Sequence, residues 1–135
     1  MTAPVEQSSA VPSIPRCMWT VFALKRAVAW FGLGRTMRWI ENRVASTPMR
    51  AGSHRGTIEA TERVIAMASA FYPGRALCLE QSLTLYYVLR RRGVPVAYCQ
   101  GVQPQPFQAH AWVEYEGEPV NDVPERVNRF ARLHR

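Results

Sequence analysis

Apolar residues recur at helical spacing through the first half of the chain and at alternate positions through much of the second. From Arg16 to Phe31, Val21, Leu24, Val28 and Phe31 share one face, with Met18 and Phe22 beside them. Gly32 and Gly34 are expected to end that helix. Met37, Ile40 and Val44 mark a second short helix that closes before Pro48. Residues 47–56 read as a loop by composition. A third helix places Ile58, Thr61, Val64, Ile65, Ala68, Phe71 and Tyr72 on one side, with Pro73-Gly74 as its stop. A fourth opens near Leu77 or Cys78 and ends at Gly93, burying Leu79, Leu83, Tyr86 and Leu89.

After Gly93 the period changes to two. Val94, Val96 and Tyr98 alternate, and Gly101 with the following prolines is expected to break that strand. In the next strand Phe107, Ala109, Ala111, Val113 and Tyr115 lie on one face. Gln108, His110, Trp112 and Glu114 lie on the other. The tail from Pro124 to Arg135 reads as a short basic helix on Val127, Phe130 and Leu133. Helices first and a small antiparallel sheet afterwards predict an α+β fold rather than an alternating α/β one. The expected organisation is a loose arm over residues 1–15, a helical region over 16–56 packing on the core, and the core itself over 57–135. Trp19, Trp30 and Trp39 are expected to give that helical layer its apolar body.

Composition narrows the class. With 135 residues, 47% of them apolar, the chain can build one globular core and is not a disordered segment. The net charge of +7 comes almost wholly from arginine. The arginines form no long block, so a solvated surface is preferred to a nucleic-acid site. Arg90, Arg91 and Arg92 close the fourth helix, where they complement its dipole. Three cysteines without a Cys-x-x-Cys pair fit neither a disulfide framework nor a cysteine-rich zinc site, and a reducing cytoplasm suits them. The apolar stretch from Cys17 to Leu33 is interrupted by Lys25 and Arg26, so neither an export signal nor a membrane span is expected.

The chemistry concentrates in three residues. Cys78 begins the fourth helix, where unpaired N–H groups and the dipole favour a thiolate and could bind an oxyanion. His110 follows on a strand, and Asp122, the only aspartate, follows in Pro119-Val-Asn-Asp122. A cysteine at a helix start, then a histidine, then an aspartate is the order of a thiol hydrolase site of the papain and transglutaminase kind. A three-residue turn Tyr115-Glu116-Gly117 would set His110 opposite Asp122. A two-residue turn would set Asp122 opposite Ala111 and bring Asn121 to the His110 face. Either side chain can orient a histidine, so the pairing alone leaves both open. Trp112 and Gln100 are candidate walls of the cleft, in contact with substrate. Cys17 and Cys99 read as packing residues. No metal site and no cofactor are expected.

The stretch from Cys78 to Asp122 resembles the stand-alone leader peptidases of lasso-peptide biosynthesis, a transglutaminase-like branch of the papain-like fold. The resemblance is carried by Cys78-Leu-Glu-Gln-Ser-Leu83, Leu89-Arg-Arg-Arg-Gly93, Gly101-Val102, Phe107-Gln-Ala-His-Ala-Trp-Val-Glu114, Gly117 and Val120-Asn-Asp122. It implies a catalytic triad of Cys78, His110 and Asp122 and cleavage of a ribosomally made precursor peptide between leader and core. It also implies a separate small leader-recognition protein and a cyclase that uses ATP to close the ring. Two other classes of function fit parts of the pattern. An acyltransferase or transglutaminase would use the same thiol with an amine acceptor. A basic adaptor without catalysis would ignore it.

Overall fold

The computed structural model describes residues 12–71 and 78–133. Four helices precede a four-stranded antiparallel sheet, so the fold is α+β. The helices are α1 (Ile14–Phe31), α2 (Leu33–Ala45), α3 (Arg55–Phe71) and α4 (Cys78–Arg91). The sheet follows as β1 (Val96–Pro104), β2 (Phe107–Tyr115) and β3 (Glu118–Pro119). A single turn of helix, α5 (Pro124–Val127), leads into β4 (Ala131–Arg132). The strand order is β3-β2-β1-β4. The expected Pro73-Gly74 stop and the turn through Leu77, like the chain up to Val11, lie outside the described residues.

Burial explains why α4 is central. Its Leu85 and Leu89 join Ile58, Ile65 and Ala68 of α3 with Val96, Val113 and Tyr115 of the sheet in one apolar cluster. Its Leu83 belongs to a second cluster with Leu24 of α1 and Met37, Ile40 and Val44 of α2. Helix α1 buries Cys17, Val21 and Leu24, a stripe at spacings of four and three. Its largest side chains do not follow: Trp19 and Trp30 are 70% and 77% exposed. The tryptophans expected to give the layer its body therefore stand outside it, and smaller residues make the contact.

Gly32 joins α1 to α2. With φ of 80°, its N–H donates to the Val28 carbonyl at 3.0 Å and its own carbonyl accepts from Thr36 N–H at 3.2 Å. One residue thus ends a helix and begins the next. Gly34, expected as a second stop, lies inside α2. Gly93 closes α4 at φ 81°. Its N–H reaches the Arg90 carbonyl and Val94 N–H reaches Leu89, each at 3.0 Å. The buried Val94 and Leu89 share a cluster, as a Schellman ending requires.

The sheet departs from expectation in two places and decides between two alternatives in a third. Strand β1 runs through Gly101 to Pro104 instead of breaking. A Cβ at Gly101 would sit 2.7 Å from Phe130 Cβ and 3.1 Å from a Trp112 ring carbon, so the glycine admits the tail against the strand. The tail is not a continuous helix. After α5 it returns as β4, pairing Arg132 with Gly101 and Ala131 with Val102. The hairpin between β2 and β3 uses the two-residue turn Glu116-Gly117, with φ of 52° and 82°, and pairs Tyr115 with Glu118. The three-residue alternative is not the one adopted.

Candidate active site

Helix α4 begins at Cys78, whose side chain is exposed. It opens on a cleft of about 280 Å³ that is also lined by Leu33, Leu79, Gln100, Gly101, Ala109, His110, Ala111 and Leu133. Cys78 and His110 therefore line one space, together with residues of α4, β1 and β2. The tail residue Leu133 completes the rim; its N–H donates to the Gln100 carbonyl at 2.9 Å.

His110 Nε2 bonds Asp122 Oδ2, and both side chains are mostly buried, at 14% and 6% exposure. With the two-residue turn, strand pairing alone would place Asp122 opposite Ala111. The ladder is abandoned before that point. Val120 N–H still donates to the Val113 carbonyl at 2.9 Å. At Asn121 the side chain takes over from the backbone: its Oδ1 accepts Val113 N–H at 2.9 Å. The chain then bends, and Asp122 reaches His110. Its other oxygen, Oδ1, accepts Val123 N–H at 2.8 Å. Arg126 stands 3.6 Å from the same oxygen.

Asn121, the reserve candidate, is engaged elsewhere. Its Nδ2 donates to Ser82 Oγ at 3.0 Å, and Ser82 Oγ donates to the Ala111 carbonyl at 3.0 Å. This chain of bonds ties α4 to β2 one residue from His110. It fixes the helix carrying Cys78 relative to the strand carrying His110. The Ser82 role was readable only as part of the Cys-Leu-x-x-Ser-Leu block, because Asn121 and Ser82 are 39 positions apart.

Trp112 is fully buried and is not among the cleft-lining residues. It acts on the site from behind. Its ring stacks on His110 at 5.8 Å between centroids and 26° between planes. Phe130 approaches the same imidazole at 5.1 Å. Trp112 Nε1 donates to Glu114 Oε1 at 2.9 Å, and Glu114 is paired with Arg132 at 2.5 Å. Phe130, Glu114 and Arg132 were not anticipated as supports of His110. No local pattern could have shown them, since β4 had to be recognised first. Gln100 does line the cleft, while its Nε2 donates to Tyr98 Oη at 2.8 Å.

The other cysteines differ from Cys78 in their surroundings. Cys17 is buried, and that burial raises its thiol pKa. Cys99, half-buried, is pushed up to about 11 by burial and by the nearby Glu114 carboxylate. Cys17 belongs to the apolar cluster of α3, α4 and the sheet.

Comparison with known proteins agrees with this architecture. Over 54 residues the chain is 40% identical to the microcin J25-processing protein McjB of Escherichia coli. That match takes in 40% of this chain and 26% of the relative, so the chain spans about a quarter of the curated relative it matches. No solved structure matches. The sequence model of the transglutaminase-like superfamily covers residues 18–135, which includes every element from α2 to β4 and most of α1. The chain belongs to the transglutaminase-like superfamily.

Proposed function

We propose that the chain is a cysteine peptidase that removes the leader from a lasso-peptide precursor, with Cys78, His110 and Asp122 as its triad. One observation carries the reading: the exposed thiol at the head of α4 and the Asp122-bound imidazole line the same cleft. The likeness to a microcin J25-processing protein supports the substrate class.

The tautomer follows from the pairing. With Nε2–H donated to Asp122, Nδ1 keeps its lone pair and serves as the base. It takes the Sγ proton as sulfur attacks the carbonyl carbon of the leader's last residue. The oxyanion is held by backbone N–H groups at the start of α4. Nδ1–H then protonates the leaving amine, which departs as the free N-terminus of the core. Water attacks the thioester with His110 again as base, releasing the leader acid and the thiol. The Trp112 and Phe130 rings limit the rotation of His110 between these proton transfers. Gln100 contacts substrate along the cleft wall.

The precursor peptide is one partner in this account. A separate leader-recognition protein and an ATP-dependent cyclase complete the pathway, in the cytoplasm. No helix among the described residues is long and apolar enough to cross a membrane. The test is incubation of the chain with the precursor, alone and with the recognition protein, followed by product mass. Wild type should give two fragments whose masses together equal precursor plus one water. The Cys78→Ala variant should fold and give none. Undiminished cleavage by that variant would end the proposal. A product joined to an added amine would replace hydrolysis by acyl transfer.

A further inference from the structure

Away from the cleft, α1, α2 and Tyr87 of α4 enclose an apolar groove of about 590 Å³. Its lining carries the exposed Trp19, Phe31 and Trp39, at 70%, 62% and 46%, beside the buried Leu24 and Thr36. Exposed aromatic side chains around buried lining residues offer a surface on which apolar side chains can pack. Exposed aromatic surface of this extent marks a binding face rather than ordinary surface scatter.

The groove continues into a second recess of about 280 Å³ through two shared residues, Thr20 and Tyr87. This recess is mainly polar and is lined by Arg16, Arg91 and Arg92. No salt bridge among the described residues engages any of the three. Among the described residues no carboxylate lines either cavity. Across α1 and α2 six residues are basic and one, Glu41, is acidic. An apolar trough beside three guanidinium groups is complementary to a segment with apolar anchors beside acidic side chains.

The groove and the candidate active site both draw lining residues from the α1–α2 junction. Phe31 and Arg35 line the groove, and Leu33, between them in the chain, lines the Cys78 cleft. Leu33 and Thr36, one helical turn apart in α2, line the cleft and the groove respectively, so both openings border the first turn of α2. We infer that the groove and its arginine recess form an exosite for the peptide substrate, binding an acidic, apolar-anchored segment whose scissile bond lies in the Cys78 cleft. The inference rests on the peptidase reading and adds to it the chemistry of the recognised segment.

Two fluorescein-labelled synthetic peptides of equal length test it, one with leucine and glutamate at helical spacing, the other with lysine for glutamate. Binding to the 135-residue Cys78→Ser chain is followed by anisotropy. The acidic peptide should bind at least about tenfold tighter. Trp19→Ala and Arg91→Ala, both at exposed positions, should each weaken it severalfold, and Asp122→Asn should not. In wild type, attaching the acidic segment to a cleavable peptide should lower KM with kcat unchanged, and Trp19→Ala should erase the difference. Equal binding of the two peptides would overturn the inference. So would a groove-dependent dimer in sedimentation, or capture by phosphatidylglycerol vesicles in preference to the acidic peptide. Capture of the acidic peptide without cleavage by wild type would instead count against the peptidase reading.

Discussion

His110 and Asp122 are bonded to one another although the strand pairing of β2 with β3 would set Asp122 against Ala111. The pair forms because the chain leaves the ladder after Val120, and Asn121 is the residue that lets it leave. Its side-chain carbonyl replaces the backbone acceptor that a continuing β3 would have offered Val113. Two adjacent residues therefore divide the work: one builds the bend and the other uses it.

That division separates two substitutions. Asp122→Asn should fold with nearly unchanged thermal stability and lose most activity, because the imidazole loses the carboxylate that stabilises its charged form. Asn121→Ala leaves Ser82 and Val113 N–H short of a partner and should cost about 1–3 kcal/mol. Thermal unfolding beside kcat/KM for both variants checks the split.

Gly101 is the point where the tail meets the sheet. A methyl group there would crowd Phe130 Cβ, at 2.7 Å, and the Ala131 carbonyl, at 3.0 Å. Gly101→Ala should therefore push β4 outward and lower stability by about 1–3 kcal/mol. Near-ultraviolet circular dichroism should change as well, since Trp112 lies in the same contact.

Arg132 neutralises a mostly buried carboxylate. The Glu114 side chain is 9% exposed while that of Arg132 is 51% exposed, so solvent screens the pair only from one side. Arg132→Ala should cost about 1–2 kcal/mol, below the value for a fully buried pair. Denaturant unfolding of R132A and of the R132A/E114Q double variant checks this. The second change should recover part of the loss.

The cysteines should alkylate in a fixed order. Cys78 is exposed, whereas Cys17 is buried with a raised pKa and Cys99 is raised from 9.0 to about 11. At pH near 8, Cys99 should hold roughly a hundredth of the thiolate of a thiol at its ordinary value. Iodoacetamide should therefore modify Cys78 first, by peptide mass spectrometry. The same upward shift has a stability consequence. The folded state favours the neutral Cys99 thiol, a contribution fully present below about pH 9 and lost as pH rises through 11. Thermal stability should fall across that window, and less so in Cys99→Ala.

Legibility followed the range of the interactions. Met37, Ile40 and Val44 are all buried, and their spacing alone gives α2. The α+β order was equally readable. The extent of β1 was not. Gly101 reads as a breaker in isolation and becomes a strand residue only when Phe130 packs over it. The tail failed for the same reason, since β4 exists by pairing with residues about thirty positions earlier. Within the candidate site, Cys78, His110 and Asp122 stood out by residue type and order. The supports around them did not, because Ser82, Asn121, Phe130 and Arg132 matter only through contacts that span the fold.

The central claim is that Cys78 carries the leader as a thioester during cleavage. Acid quenching of the wild-type chain in the first turnovers with its precursor, then tandem mass spectrometry, tests it most directly. The leader fragment should be found attached at Cys78, with no adduct at Cys17 or Cys99, and the adduct should be lost in His110→Ala. Cleavage that proceeds at full rate with no adduct at Cys78, and persists in Cys78→Ala, would contradict it.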